Sequence, residues 1–176
     1  MVGRTMQSFI LCIILPNIVL SSSSDDSNSD GLPGLAATYS PGVGGQPVER
    51  IDSGIQFNWA DASPDPRVPA DGFRVRWVGK LLVQASGRYR LHLFATGSCQ
   101  LKIDGKQTIA GEAKDAAWLS SAEMPLELGH HAIELTFTKT VKQACIGLFW
   151  ESNKFGIEPV GPRWLFHDKA ADGEPG

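Results

Sequence analysis

Between Gly72 and Gly105 the chain alternates apolar and polar side chains in successive runs punctuated by glycine. Phe73, Val75 and Trp77 alternate with Arg74, Arg76 and Val78. Gly79 interrupts, and Leu81 and Val83 continue the apolar set. After Ser86-Gly87 the alternation restarts, with Tyr89, Leu91, Leu93 and Ala95 against Arg88, Arg90, His92 and Phe94. A third run sets Leu101 and Ile103 against Gln100, Lys102 and Asp104 and ends at Asp104-Gly105. A period of two sends one face of each segment inward and the other to solvent. Ser86-Gly87 and Asp104-Gly105 carry turn chemistry, because glycine takes positive φ without steric cost. The stretch therefore predicts a meander of antiparallel strands.

The flanking chain extends the pattern. Leu35 to Tyr39 is a candidate first strand, and Ser40 to Pro47 a loop rich in Gly and Pro. Ile55, Phe57 and Trp59 alternate with Gln56 and Asn58 as a strand. Asp61 to Asp71 holds three prolines and reads as a stiff loop. Lys106 to Ile109 is a return strand, while the polar, alanine-rich Ala110 to Glu123 reads as a surface loop. His131, Ile133, Leu135 and Phe137 mark another strand, as does Ala144 to Glu151, and Trp164 to Phe166 a last short one. No segment shows sustained helical periodicity, so the fold class is all-β, an antiparallel sandwich or barrel.

The ends read differently. Arg4 followed by the apolar run Phe9 to Leu20 reads as an export signal over residues 1–21, with an uncleaved anchor as the alternative. Residues 22–33 are a polar, acidic linker, 34–168 the domain and 169–176 a flexible tail. The expected location is secreted or at the cell surface, with membrane contact only through an uncleaved leader. Cleavage removes Cys12 of the three cysteines. Cys99 and Cys145 then form a candidate disulfide, with two buried free thiols as the alternative. A net charge of −3 lacks the footprint of a nucleic-acid binder.

The order of short motifs carries a resemblance. Arg50-x-Asp52 precedes Ile55-x-Phe57-x-Trp59 and Phe73-x-Val75-x-Trp77-x-Gly79. Gly87-x-Tyr89-x-Leu91, Leu101-x-Ile103-Asp104-Gly105, Leu128-Gly129-His130-His131 and Ile146-x-Leu148-x-Trp150 follow. Over roughly Gly34 to Phe166 the chain resembles the protective-antigen (PA14) domain family. That resemblance implies a β-sandwich or barrel of secreted and surface proteins whose commonest understood function is carbohydrate binding. In the family's sugar-binding adhesins, two adjacent aspartates in the loop before the x-Leu-x-Ile-Asp-Gly strand hold calcium, and calcium holds the sugar. Here Thr96-Gly97 stand at that place. Calcium takes six to eight oxygen ligands, usually with several carboxylates, so no cofactor is expected and adhesin-type calcium dependence is disfavoured.

Single residues carry the remaining expectations. Trp59, Trp77 and Trp150 sit at strand-period apolar positions and read as core. Trp118, in the polar stretch KDAAWLSSAE, is the best candidate for an exposed stacking platform, with a folded-back lid as its alternative. Asp104, Thr96 and Ser98 complete the candidate ligand set, although aspartate in a tight turn usually binds backbone. Arg50 and Asp52 read as a local ion pair. Arg74, Arg76, Arg88 and Arg90 read either as a basic stripe for an acidic polysaccharide or as a solvated face that discourages edge pairing, the latter preferred. His130-His131 and His92 lack recognised zinc spacing. No nucleophile elbow, His-Glu-x-x-His, Cys-x-x-Cys or phosphate loop is present. The sequence thus points to a non-catalytic extracytoplasmic binding module, glycan-binding through a loop face. The alternatives are a structural or protein-interaction domain and an accessory module of an extracytoplasmic enzyme.

Overall fold

A computed structural model describes residues 31–168. The expected leader, most of the linker and the tail lie outside the described residues. Twelve strands form in chain order: β1 Leu32–Pro33, β2 Leu35–Ser40, β3 Val48–Asp52, β4 Gln56–Ala60, β5 Arg74–Val83 and β6 Gly87–Ile103. They continue with β7 Lys106–Ser120, β8 Met124–Leu126, β9 Gly129–Thr138, β10 Ala144–Ser152, β11 Phe155–Pro159 and β12 Leu165–His167. A 3-10 turn, Pro162–Trp164, precedes β12. Every pairing is antiparallel, and all strands join one curled sheet.

The long strand β6 explains how one sheet makes two layers. Its first half pairs with β10 from Tyr89 to Ala95, and its second half pairs with β9 from Ser98 to Ile103. Strand β7 accompanies β6 past the same point, with a register shift between Ala95 and Gly97. Gly97 makes this corner at φ 77°. A Cβ there would lie 2.6 Å from the Thr138 carbonyl oxygen. Bulges of this kind bend a strand and let it change layers. One layer thus holds β4, β10 and the adjoining halves of β6 and β7. The other holds β3, β2, β5, β9 and the remaining halves.

Alternation places the core between the layers. Trp77, Tyr39, Phe73, Phe137, Leu91, Leu93 and Leu101 are fully or almost fully buried. Trp150 is buried, and Trp59 packs against the cluster half-buried, as their strand positions predict. Asp104 and Gly105 take φ 50° and 74°, the two-residue hairpin turn expected at that dipeptide.

Several expectations change. Ala110 to Ser120 is not a loop but the second half of β7. Its inward positions are few and mostly small (Ala113 is buried, Ala117 and Leu119 partly so), so it lacks the apolar signal of a strand and gains its place by pairing with β6. Leu32 and Pro33, assigned to the linker, pair with His167 and Phe166. Gly79 does not interrupt β5. Its missing side chain admits the Phe166 carbonyl, which would lie 2.2 Å from a Cβ. The arginine stripe is largely neutralised, with Arg76 on Glu134, Arg88 on Glu123 and Arg90 on Glu151. That matches the solvated-face reading and removes the basic stripe.

Candidate functional site

The first half of β6 turns its even-numbered side chains outward between β7 and β10. Register aligns them in cross-strand rows. Trp118 on β7 lies opposite Phe94 on β6, and Phe94 opposite Gly147 on β10. Ser120 lies opposite His92, and His92 opposite Phe149. Side chains directly across an antiparallel pair are in contact range, so the rows fuse into one aromatic cluster. The Trp118 ring centroid stands 5.2 Å from Phe94, 4.9 Å from Phe149 and 6.2 Å from His92, the last two edge-to-face. Trp118 nevertheless stays 51% exposed. A large indole held from below and open above is a preformed flat apolar surface.

Beside this cluster lies a cleft of about 720 Å³. Phe94 and Phe149 form its apolar wall, and Gln56, Asn58, Lys114, Asp115 and Gln143 supply polar groups around it. The Gln56 amide donates to the Leu148 carbonyl at 3.2 Å, which fixes its orientation at the cleft floor. At the other end of the same face a smaller cleft of about 240 Å³ is lined by Arg88, Arg90, Glu123, Glu151, Ser152 and Asn153.

His92 sits under the cluster at 4% exposure. Its Nδ1 is 2.8 Å from the Ser120 hydroxyl. Its Nε2 is the one buried side-chain polar atom, among the described residues, with no hydrogen bond, and it stands 3.4 Å from Glu151 Oε1. Buried polar atoms are nearly always paired, so this nitrogen marks the face as unusual.

The predicted ligand set is only partly assembled. Trp118 joins the aromatic face, but from a strand rather than a loop. Thr96 lines the larger cleft, yet it is buried, and its hydroxyl donates to the Gln143 carbonyl and accepts from the Cys145 amide. Ser98 lies past the corner, opposite Glu112 and Thr138. Asp104 is at a distant hairpin, where its carboxylate accepts from the Ala132 amide at 2.9 Å and stands 2.7 Å from His131 Nδ1. Sequence reasoning missed Phe94, Phe149, His92, Gln56 and Asn58. The available signal was Phe94 itself, an aromatic residue in an otherwise polar outward series.

Thr96-Gly97 lie mid-strand in β6, not in a loop. The hydroxyl there is already committed, and a side chain at 97 would strike Thr138. These residues do not fit calcium. Cys99 and Cys145 are both free thiols. They are not cross-strand partners: Cys99 faces Gly111 and Phe137, and Cys145 faces Asn58. Burial, with a smaller effect of Cys145, pushes the Cys99 thiol up to about 12, so it stays protonated.

Comparison with known proteins places this geometry in a family. The anti-sigma-I factor RsgI3 of Acetivibrio thermocellus is 30% identical over 118 residues, 66% of this chain but 18% of that protein. A solved anti-sigma factor domain-containing protein is 28% identical, with a TM-score of 0.71, over 78% of this chain and 49% of the other. The chain thus spans at most about half the length of these relatives. A PA14 sugar-binding domain from an RTX adhesin shares the fold, with a TM-score of 0.62 at 14% identity over 77% of this chain and 99% of that one. The family model described as PA14 domain matches residues 27–141, well over half of the sequence, and the chain belongs to the PA14 domain family.

Proposed function

We propose that this domain is a non-catalytic extracytoplasmic module that binds carbohydrate on the outward face of β6, β7 and β10. The observation that carries the reading is Trp118: half-exposed, yet braced by Phe94 and Phe149. Sugar rings present flat C–H faces that pack on such an indole, while their hydroxyls need donors and acceptors, which Gln56 and Asn58, each held by a hydrogen bond, and Gln143 offer. The shared fold with a sugar-binding domain of an RTX adhesin supports the reading. Binding here is independent of calcium, because the residues at Thr96-Gly97 cannot supply the ligands. A glycan-array screen of residues 31–168, run with calcium and with chelator, tests it. The expected result is chelator-insensitive hits that quench tryptophan fluorescence and weaken at least tenfold in Trp118→Ala. Hits lost in chelator, or hits indifferent to Trp118→Ala, would refute it.

The similarity to proteins described as anti-sigma factors favours one refinement. The module would be the ligand-binding part of a longer regulatory chain, reporting an external glycan to a domain elsewhere in that chain. Absence of glycan hits, together with capture of a protein partner through the same face, would favour the protein-interaction alternative instead.

A further inference from the structure

We propose that the site takes an internal segment of a linear, uncharged polysaccharide, laid along the strands, rather than a terminal sugar. The inference rests on the carbohydrate reading above and adds the shape and charge of the ligand. Both clefts and the aromatic cluster belong to one face, carried by the same three strands. Along β6, Thr96 and Phe94 line the larger cleft, His92 underlies the cluster, and Arg90 and Arg88 line the smaller cleft. Along β10, Cys145, Gly147 and Phe149 line the first and Glu151 the second. At roughly 3.4 Å per residue, Arg88 to Thr96 spans about 27 Å. A terminal mono- or disaccharide fills one cleft, whereas a chain of several rings reaches from one to the other across Trp118.

The larger cleft carries Lys114 and Lys142 beside Asp115, and it is the charge pattern of the smaller cleft that selects among such chains. Arg88 is paired with Glu123 in the smaller cleft, and Arg90 with Glu151 at 3.2 Å. Their positive charge is already met by carboxylates, so a polyanion would have to displace Glu123 and Glu151 and leave them beside its own acid groups. Hydroxyls, in contrast, accept from the guanidinium groups and donate to the carboxylates without breaking either pair. The unpaired His92 Nε2, 3.4 Å from Glu151, stands at the junction of cluster and smaller cleft. At 4% exposure His92 lies beneath the track and supports the cluster from below rather than meeting the ligand.

Calorimetric titration of residues 31–168 with cello- and xylo-oligosaccharides of two to six units reads this directly. The expected result is that in at least one series the six-unit chain binds tenfold or more tighter than the two-unit one, about 1.4 kcal/mol. Gln56→Ala and Asn153→Ala, at opposite ends, each reduce that length advantage by about threefold or more, in proteins whose melting is unchanged. Affinity that is flat with length, or sensitive to only one end, overturns the extended track while leaving a Trp118-dependent glycan site intact. Binding of oligogalacturonides but of neither neutral series overturns the charge assignment. No binding of any glycan, on the array or in solution, overturns both this inference and the reading beneath it.

Discussion

Two aromatic clusters in this domain have similar composition and opposite fates. In the core, Tyr39, Phe57, Trp59 and Trp77 surround Asp52 and Arg50. Asp52 is buried, and its Oδ2 accepts from the Tyr39 hydroxyl at 2.6 Å and the Trp77 indole at 2.7 Å. Its Oδ1 accepts from Arg50 Nε at 2.7 Å, and the guanidinium lies 4.0 Å over the Tyr39 ring. Burial, reinforced by Asp52, pushes the Tyr39 hydroxyl up, so it stays a donor. On the outer face, Trp118, Phe94, Phe149 and His92 form an equally dense set of rings. There the largest ring is half-exposed and one buried nitrogen has no partner. A cluster whose buried polar atoms are satisfied specifies a fold. One left open on its outer side and unsatisfied beneath has capacity to spare for a ligand.

Mutation separates the two roles. Asp52→Ala leaves the Tyr39 and Trp77 donors and the Arg50 charge without their acceptor, and is expected to lower stability by about 3–5 kcal/mol in urea or thermal melts. A loss below about 1 kcal/mol would show that the network is dispensable. Gly97→Asp places one carboxylate at the position where the resemblance implies a calcium-binding aspartate pair in sugar-binding adhesins. It forces positive φ on a side chain that meets Thr138, so it is expected to cost about 2–4 kcal/mol without gaining calcium-dependent stabilisation. A melt raised by calcium would contradict the assignment of that corner as structural.

Trp118→Ala is expected to leave stability within about 1 kcal/mol of wild type while removing ligand quenching. A large loss of stability would make Trp118 a lid over the sheet edge rather than a platform. The smallest effect belongs to His131. Its Nδ1 faces the Asp104 carboxylate and its Nε2 the Glu127 carbonyl, both acceptors, so only the protonated ring satisfies both. Burial opposes that charge, but the bonds to Asp104 and Glu127 outweigh it and raise the pKa above the usual 6.5. The clamp therefore stabilises fully below about pH 6.5 and fades as pH rises through the folded value. With Asp104 half-exposed, the expected difference between wild type and His131→Gln is roughly 0.5 kcal/mol at pH 5.5, shrinking above neutrality. A difference that grows with pH would contradict the clamp.

The core was legible in the sequence because its signal is local. Alternation along β5, β6 and β9 marks Val75, Trp77, Leu91, Leu93, Leu135 and Phe137 as inward, and all are buried. Arg50-x-Asp52 gave its ion pair by spacing, and Asp104-Gly105 gave its turn by composition. The outer face depends on register between strands far apart in the chain. Trp118 meets Phe94 because β7 returns along β6, and meets Phe149 because β10 flanks the other side. Nothing within Ala110 to Ser120 announces that return, since few of its inward side chains are large. The expected loop was therefore a strand, and the platform's supports went unread.

Backbone and indole amide shifts in a titration with the strongest array hit show which face of the sheet meets the ligand. The Trp118 indole and the amides of Phe94, Phe149 and Gln56 are expected to move together, while the Trp77 indole, held by Asp52, stays fixed. Shifts confined to another face, with the Trp118 indole unmoved, would contradict a site on the outward face of β6, β7 and β10.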